Sequence, residues 1–299
     1  MTDTYPIAVT GASGQLGRLI INALLTEQGV PADQIIALTR RPESLKELAD
    51  QGIQVRQADF DDPATLSAAF NGVNRLLLVS TDELAETGKR LAQHKLAVSA
   101  AEQAGVRHIL YTSMPKPGGS SITFAGDHLK TEEFIAASSM SWTILRNSWY
   151  FENLLMETGH ILESGQWFTA AGDGRVANIA RADLAAAAAA ALAKNDFNNR
   201  TYTLTGKEAL TTAQMATLLS DISARSVAVV PITDEQKIAG LEQAGLPPVL
   251  AKAFASFDTN TRQGGVEEVT SDFNHLTGRE PQTLKEWLSQ NRALLTPAS

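Results

Sequence analysis

The sequence predicts an α/β fold built on a doubly wound parallel sheet, with a smaller, mostly helical C-terminal region covering a substrate. Three observations predict it. Short apolar runs alternate with helix-like segments through the first half of the 299 residues. A glycine-rich turn joins the first run to the first helix. After about residue 180 this rhythm breaks and helices dominate.

Taken in order, Ile7-Ala8-Val9 reads as the first strand. Thr10-Gly11-Ala12-Ser13-Gly14-Gln15-Leu16-Gly17 is the turn, and the next helix lines up Leu16, Leu19, Ile20, Ala23 and Leu24 on one face. Residues 34–39 form the second strand and 54–58 the third. Asp62-Pro63 opens a helix, with Asp62 as N-cap and Pro63 in the first helical position. Leu76-Leu77-Leu78-Val79 is a strand buried on both faces. A helix over 86–104 ends at Gly105, the fifth strand covers 108–112 and the sixth 142–145. Right-handed crossovers then give a Rossmann-type sheet.

Arg181 to Lys194 reads as a packed alanine-rich helix, favoured over a low-complexity linker by Leu184 and Leu192. Short strands are expected at 202–205 and 227–230, with a helix from Thr212 to Ser223 between them. The expected organisation is a dinucleotide-binding core over 1–150 and, over 151–299, a mixed region of late core elements and a smaller substrate-binding lobe.

The turn is where function becomes legible. Gly11 permits the tight bend, Gly14 lets the main chain approach a pyrophosphate, and Gly17 lets helix pack against strand. The amides and positive dipole end of the helix then meet the phosphates. Gly11, Ala12, Ser13, Gly14, Gln15, Leu16 and Gly17 are therefore the first cofactor residues. After the second strand the chain reads Leu38-Thr39-Arg40-Arg41, with no acid before Glu43. A guanidinium there pairs with a 2′-phosphate where a carboxylate would repel it, which predicts NADP (NADPH) bound mainly by Arg40. A solvated basic pair is the competing reading of Arg40-Arg41. Asp59 and Phe60 are placed beside the adenine, and Ser80 and Thr81 facing the cofactor. Thr112, Ser113 and Asn147 fall on the nicotinamide side, because ligands lie beyond the carboxyl ends of such strands. Helix caps and turn polar groups are the alternative for each.

Composition sets limits. Hydrophobic residues make up 43%, enough for a large core, and no segment is long and apolar enough to span a membrane. Residues 1–6 lack a basic stretch followed by an apolar run, so no secretory signal is expected. The absence of cysteine excludes disulfides, thiol catalysis and thiolate metal sites, and fits a cytoplasmic protein. A net charge of −8 argues against a general nucleic-acid binder. His94, His108 and His160 lack ligand spacing, so no metal is expected.

Together, Thr10 to Gly17, Arg40, Val55-Arg56-Gln57-Ala58-Asp59, Ala104-Gly105-Val106, Tyr111-Thr112-Ser113 and Leu145 to Tyr150 resemble the NmrA-like atypical short-chain dehydrogenases. Ala171-Gly172-Asp173-Gly174, Arg181-Ala182-Asp183 and Leu276 to Arg279 extend the likeness over nearly the whole chain. Within that group the chain looks most like bacterial NADPH-dependent quinone oxidoreductases and triphenylmethane dye reductases. The resemblance implies reduction of a small flat acceptor by NADPH; no separate flavin motif is visible, so direct transfer from the nicotinamide is the simpler expectation, and a homodimer is compatible with it.

One departure is visible. Short-chain dehydrogenases pair a tyrosine with a lysine four residues later, and here Gly126 stands four before Lys130. A phenol near lysine supplies the proton in carbonyl reduction. Reduction of a quinone leaves a stabilised oxyanion that water protonates, and a cationic dye needs no prior protonation. His128 is the substitute polar group, in the helix where isoflavone-reductase-like relatives carry their lysine; a structural helix-end histidine is the alternative. Trp149 and Tyr150, with Phe151, suit a wall against which the acceptor stacks, core packing being the alternative. An NADP-binding redox sensor acting through a protein partner is the competing function. Reduction or isomerisation of a sugar nucleotide is disfavoured by the absent tyrosine.

Overall fold

The computed structural model describes residues 6–194 and 196–295; residues 1–5, on which most of the secretory-signal reading rests, lie outside them. The first half alternates as expected: β1 (Ile7–Val9), α1 (Gln15–Thr26), β2 (Ile35–Thr39), α2 (Lys46–Asp50), β3 (Gln54–Gln57), α3 (Pro63–Phe70), β4 (Arg75–Leu78), α4 (Lys89–Gln103), β5 (His108–Ser113), α5 (Ala125–Ala136) and β6 (Ser141–Asn147). Next come α6 (Leu155–Ser164), β7 (Gln166–Thr169), β8 (Arg175–Val176), α7 (Arg181–Ala193), β9 (Arg200–Leu204), β10 (Leu210–Thr211), α8 (Thr212–Ser223) and β11 (Ala228–Pro231). Helices α9 (Asp234–Gln243), α10 (Pro248–Arg262), α11 (Asp272–Thr277) and α12 (Leu284–Gln290) complete the described chain.

The main sheet has seven strands in the order β3-β2-β1-β4-β5-β6-β9, and the pairings from β3 through β6 are parallel. This is the expected Rossmann-type α/β fold. Every residue of β1, β2, β4 and β5 is buried, which is why those strands read as continuous apolar runs rather than alternating ones. In α1 the buried face is Leu16, Gly17, Ile20, Ile21, Ala23 and Leu24, so Ile21 takes the place expected of Leu19. At α3 the Asp62 side chain accepts from the Ala64 amide and Pro63 occupies the first turn. Helix α4 starts at Lys89, three residues later than expected, because Gly88 at φ +82° turns the chain into it. In α7, Leu184 to Ala190 and Leu192 are buried, as a packed helix requires.

The described residues sort into two compact units. Those within Met1–Met114, Asp127–Arg146 and Leu184–Tyr202 form one; those within Pro115–Gly126, Asn147–Asp183 and Thr203–Ser299 form the other. The first unit packs Ile36, Phe70, Leu76, Tyr111 and Ile144 into its core. The second packs Phe151, Trp167, Met215, Trp287 and Leu288. Phe151 is thus a core residue, at 3% exposure. The second unit contains three strands the sequence did not reveal. Strand β7 pairs in parallel with β11, and β8 pairs antiparallel with β10. Two of them are only two residues long, too short to show a period.

Candidate functional site

The glycine turn is built for close approach. Gly11 sits at φ +61°, a conformation an L side chain would strain. Gly14 is the N-cap of α1. At Gly17 a Cβ would fall on the Gly11 carbonyl oxygen and 2.9 Å from Ala12 Cα. Gly17 therefore packs the helix against the turn itself, not against the strand as expected. The Ala12 amide donates to Leu38 O at 3.0 Å, tying the turn to β2. Gly11, Ser13, Gly14 and Gln15 are exposed, while Ala12, Leu16 and Gly17 are buried. Helix α1 has no side-chain cap and no acid in its first turn. By contrast α8, α9 and α12 each carry a full capping box, at Thr211/Gln214, Thr233/Gln236 and Thr283/Glu286. A helix N-terminus left open in this way fits an anionic pyrophosphate.

Arg40 and Arg41 follow β2, both exposed. Neither side chain makes a hydrogen bond or ion pair among the described residues, so each is available to a phosphate. Their loop is braced from behind. Arg18 of α1 pairs with Glu47 and donates to Ser44 O at 3.1 Å. Thr39 Oγ1 donates to Ser13 Oγ at 3.0 Å, linking the loop to the glycine turn. After β3, Asp59 Oδ1 accepts from the Asp61 amide at 3.0 Å, and Phe60 packs partly against the core of this unit.

At the ends of β4 and β5 the hydroxyls are committed in a definite polarity. Thr112 Oγ1 accepts from the Ser80 amide at 2.9 Å and donates to Ser80 Oγ at 3.3 Å. Ser113 Oγ donates to Glu132 Oε1 at 2.6 Å. Glu132, only 8% exposed, is in turn gripped by Arg146 through Nε at 3.0 Å and Nη2 at 2.6 Å. That bidentate pair raises the Arg146 pKa. With its proton spent on a carboxylate, Ser113 presents only lone pairs to a ligand.

His128 lies in a buried polar network. Arg90 Nη2 donates to its Nε2 at 2.8 Å, so the neutral ring carries its proton on Nδ1, 2.7 Å from the Tyr111 hydroxyl. His94 accepts from the Thr81 amide at Nε2, 3.1 Å away, so its Nδ1–H donates to Thr131 Oγ1 at 3.0 Å. The Thr131 hydroxyl donates to Asp127 O at 2.7 Å. Both ring nitrogens of His128, which the sequence offered as a donor to substrate, are thereby engaged within the protein. Burial, and then the Arg90 charge, push His128 well below the usual imidazole range and His94 down to about 3. Burial likewise raises Tyr111.

These shifts set an acid limit. The folded His94 pKa lies below the unfolded value of about 6.5, so the unfolded state binds the extra proton as pH falls between the two. The stabilisation is complete above about pH 6.5 and is lost progressively towards pH 3. Denaturant unfolding of the wild type should lose on the order of 3 kcal/mol from this group between pH 7 and pH 4. His94→Gln, which does not titrate, should flatten that slope; an unchanged slope would assign it to other groups.

The second unit contains a cavity of about 170 Å3. Trp149, Tyr150, Trp167, Phe254 and Phe257 give it aromatic walls. The Trp149 and Phe257 rings meet edge to face, 4.8 Å between centroids at 84°. Arg181 lies 5.0 Å over the Tyr150 ring. Lys237, Glu157 and Asp258 supply the charged edge, with Lys237 Nζ 3.3 Å from Glu157 Oε1 and 3.9 Å from Asp258 Oδ2. Trp149 Nε1 is buried without a partner, as is Asn147 Oδ1 in the same unit. Of the late phenylalanines, Phe254 and Phe257 line the cavity, while Phe168 is 37% exposed on β7. Among the described residues no group of three or more metal-ligating side chains gathers, and no helix is long and apolar enough to cross a membrane.

Sequence reasoning gave no role to Arg90 or Glu132, noted His94 only for its lack of ligand spacing, and cited Tyr111 and Arg146 only within the family likeness. Each takes its role from partners far away in the chain, so no local spacing marks it. Residues 11–195 match the NAD(P)H-binding family. The chain is 40% identical to quinone oxidoreductase 2 of Escherichia coli K12 over 95% of its length and 97% of that protein's. The crystal structure of that enzyme with NADPH superposes with a TM-score of 0.91, covering 96% of this chain and 99% of the other. Triphenylmethane reductase of Citrobacter sp. complexed with NADP(H) gives a TM-score of 0.89 at 37% identity, covering 95% and 99%. The protein is thus a member of the NAD(P)H-binding family of NmrA-like oxidoreductases.

Proposed function

We propose that this protein is an NADPH-dependent reductase of quinones or similar flat acceptors, such as triphenylmethane dyes, working without flavin. When bound, NADPH supplies the hydride. The glycine turn and the open N-terminus of α1 hold its pyrophosphate, and Arg40, with Arg41 beside it, holds the 2′-phosphate. Ser113, its proton directed at Glu132, accepts from a donor group of the ligand. The acceptor stacks in the cavity of the second unit against Trp149 and Tyr150, whose rigid rings orient it and exclude water. The aromatic walling of that cavity is the observation that carries the reading. No fixed acid is required, because a reduced quinone is stable as an oxyanion until water protonates it.

The experiment is NADPH oxidation by flavin-free protein across quinones and triphenylmethane dyes, with NADH in parallel. NADPH-selective turnover supports the reading. Strict dependence on added flavin, or tight NADPH binding with no turnover of any acceptor, would overturn it. Arg40→Ala tests the cofactor choice separately. It should weaken NADPH by tenfold or more, about 1.4 kcal/mol, and leave NADH nearly unchanged. Equal losses for the two cofactors would remove Arg40 from the phosphate site.

A further inference from the structure

Beyond β4 the chain runs from Val79 to Gly88 without regular structure, yet its first three amides are all held by side chains. Val79 N–H donates to Thr10 Oγ1 at 2.8 Å, Ser80 N–H to Thr112 Oγ1 at 2.9 Å, and Thr81 N–H to His94 Nε2 at 3.1 Å. The three acceptors come from the end of β1, from β5 and from α4. They are 1%, 3% and 0% exposed respectively. Side-chain acceptors thus continue, residue by residue, a ladder that strand pairing has abandoned. A segment anchored in this way has lost its conformational freedom before any ligand arrives, and so the ligand need not order it.

We propose that His94, with Thr10 and Thr112, is a positioning residue that preorganises Val79-Ser80-Thr81 for the cofactor; this rests on the NADPH reading above. The histidine closes the ladder and is its least replaceable rung. Threonine oxygens accept in any protonation state, whereas an imidazole accepts at Nε2 only as the Nδ1–H tautomer. The surroundings enforce that tautomer. Thr131 Oγ1, its own proton committed to Asp127 O, is left to accept from His94 Nδ1–H. The Tyr111 hydroxyl lies 3.3 Å from the same nitrogen and 2.7 Å from His128 Nδ1, and Arg90 holds the far side of His128. A buried cluster that looks idle is thus the mounting of one lone pair.

The polarity is informative as well. With its amide protons consumed, the segment has its carbonyls and the Ser80 hydroxyl left to offer a ligand. The Thr81 Oγ1 is buried without a partner. The segment's carbonyls receive hydroxyl and amide donors, as a nicotinamide riboside offers. The phosphate-binding donors are instead at the open end of α1.

The test compares His94→Leu, which fills the space without an acceptor, with His94→Gln, whose Oε1 stands near the position of Nε2. Two quantities are read on folded protein: amide exchange at Thr81 without ligand, and the Kd for NADPH by fluorescence titration. We expect His94→Leu to lose Thr81 protection by tenfold or more and to weaken NADPH by a similar factor, with His94→Gln restoring most of both. Unchanged protection or affinity in His94→Leu would overturn the proposal. So would a His94→Gln variant as impaired as His94→Leu, which would mark lost packing as the cause. If His94→Leu does not fold, Thr112→Val reads the neighbouring rung, through exchange at Ser80 and the same titration, and protection retained there is equally fatal. Wild type that fails to bind NADPH would instead sink the functional reading, while the exchange data would still judge the ladder.

Discussion

Gly17→Ala should abolish measurable NADPH binding and destabilise the fold by about 2–3 kcal/mol. Two effects oppose each other. Alanine inside a helix is normally favoured over glycine by about 1 kcal/mol. Against that, the new methyl group would land on the Gly11 carbonyl oxygen, 2.9 Å from both Gly11 C and Ala12 Cα. All three are main-chain atoms, so no side chain can swing aside. Relief requires α1 to move off the turn, and the amides at its N-terminus move with it. Denaturant unfolding reads the stability and fluorescence titration the affinity. A variant of wild-type stability would show that the helix and turn are less tightly joined than their contact indicates.

Arg146→Ala should cost about 2–3 kcal/mol and impair cofactor binding as well. Removing one partner of a buried ion pair costs about 3–5 kcal/mol, because the remaining charge is stranded. The Arg146 side chain is 29% exposed and Glu132 only 10%, so solvent softens the loss without removing it. Glu132 would retain Ser113 as a donor. Glu132→Gln in the same background should recover part of the loss by taking away the stranded charge. No recovery in the double variant would show that Arg146 acts through its packing. The cofactor readout is separate: with Glu132 no longer clamped, the carboxylate that orients the Ser113 hydroxyl is free to shift, and NADPH should bind more weakly.

Much of this was legible in the chain, for identifiable reasons. The central strands show as unbroken apolar runs because both of their faces are covered. The glycine turn shows because its backbone demands are met by a residue without a side chain. The start of α3 is visible in Asp62-Pro63 because capping is local chemistry. Other features had no local signature. Strands β8 and β10 are two residues each, and β7 is defined by its pairing with β11 rather than by a pattern of its own. In sequence His94 was a helix histidine without ligand spacing, while His128 drew attention as the substitute polar group. Only folding reveals that one holds a main-chain amide and the other stands behind it. Gly17 was recognised as a packing glycine, but its partner is the turn six residues earlier, which spacing alone does not distinguish from the strand.

The way the chain is shared between its two compact units bears on its synthesis. The backbone passes from one unit to the other after Met114, Gly126, Arg146, Asp183 and Tyr202. The nucleotide-binding unit therefore lacks its final strand until residue 202 has left the ribosome. By then two segments of the other unit have already emerged and must wait for Thr203 onward. The nucleotide-binding unit is therefore complete in sequence before the other, yet neither can be cut out at one boundary or exchanged as one contiguous module. Swapping one contiguous segment long enough to hold either unit between related chains would therefore carry pieces of both units with it.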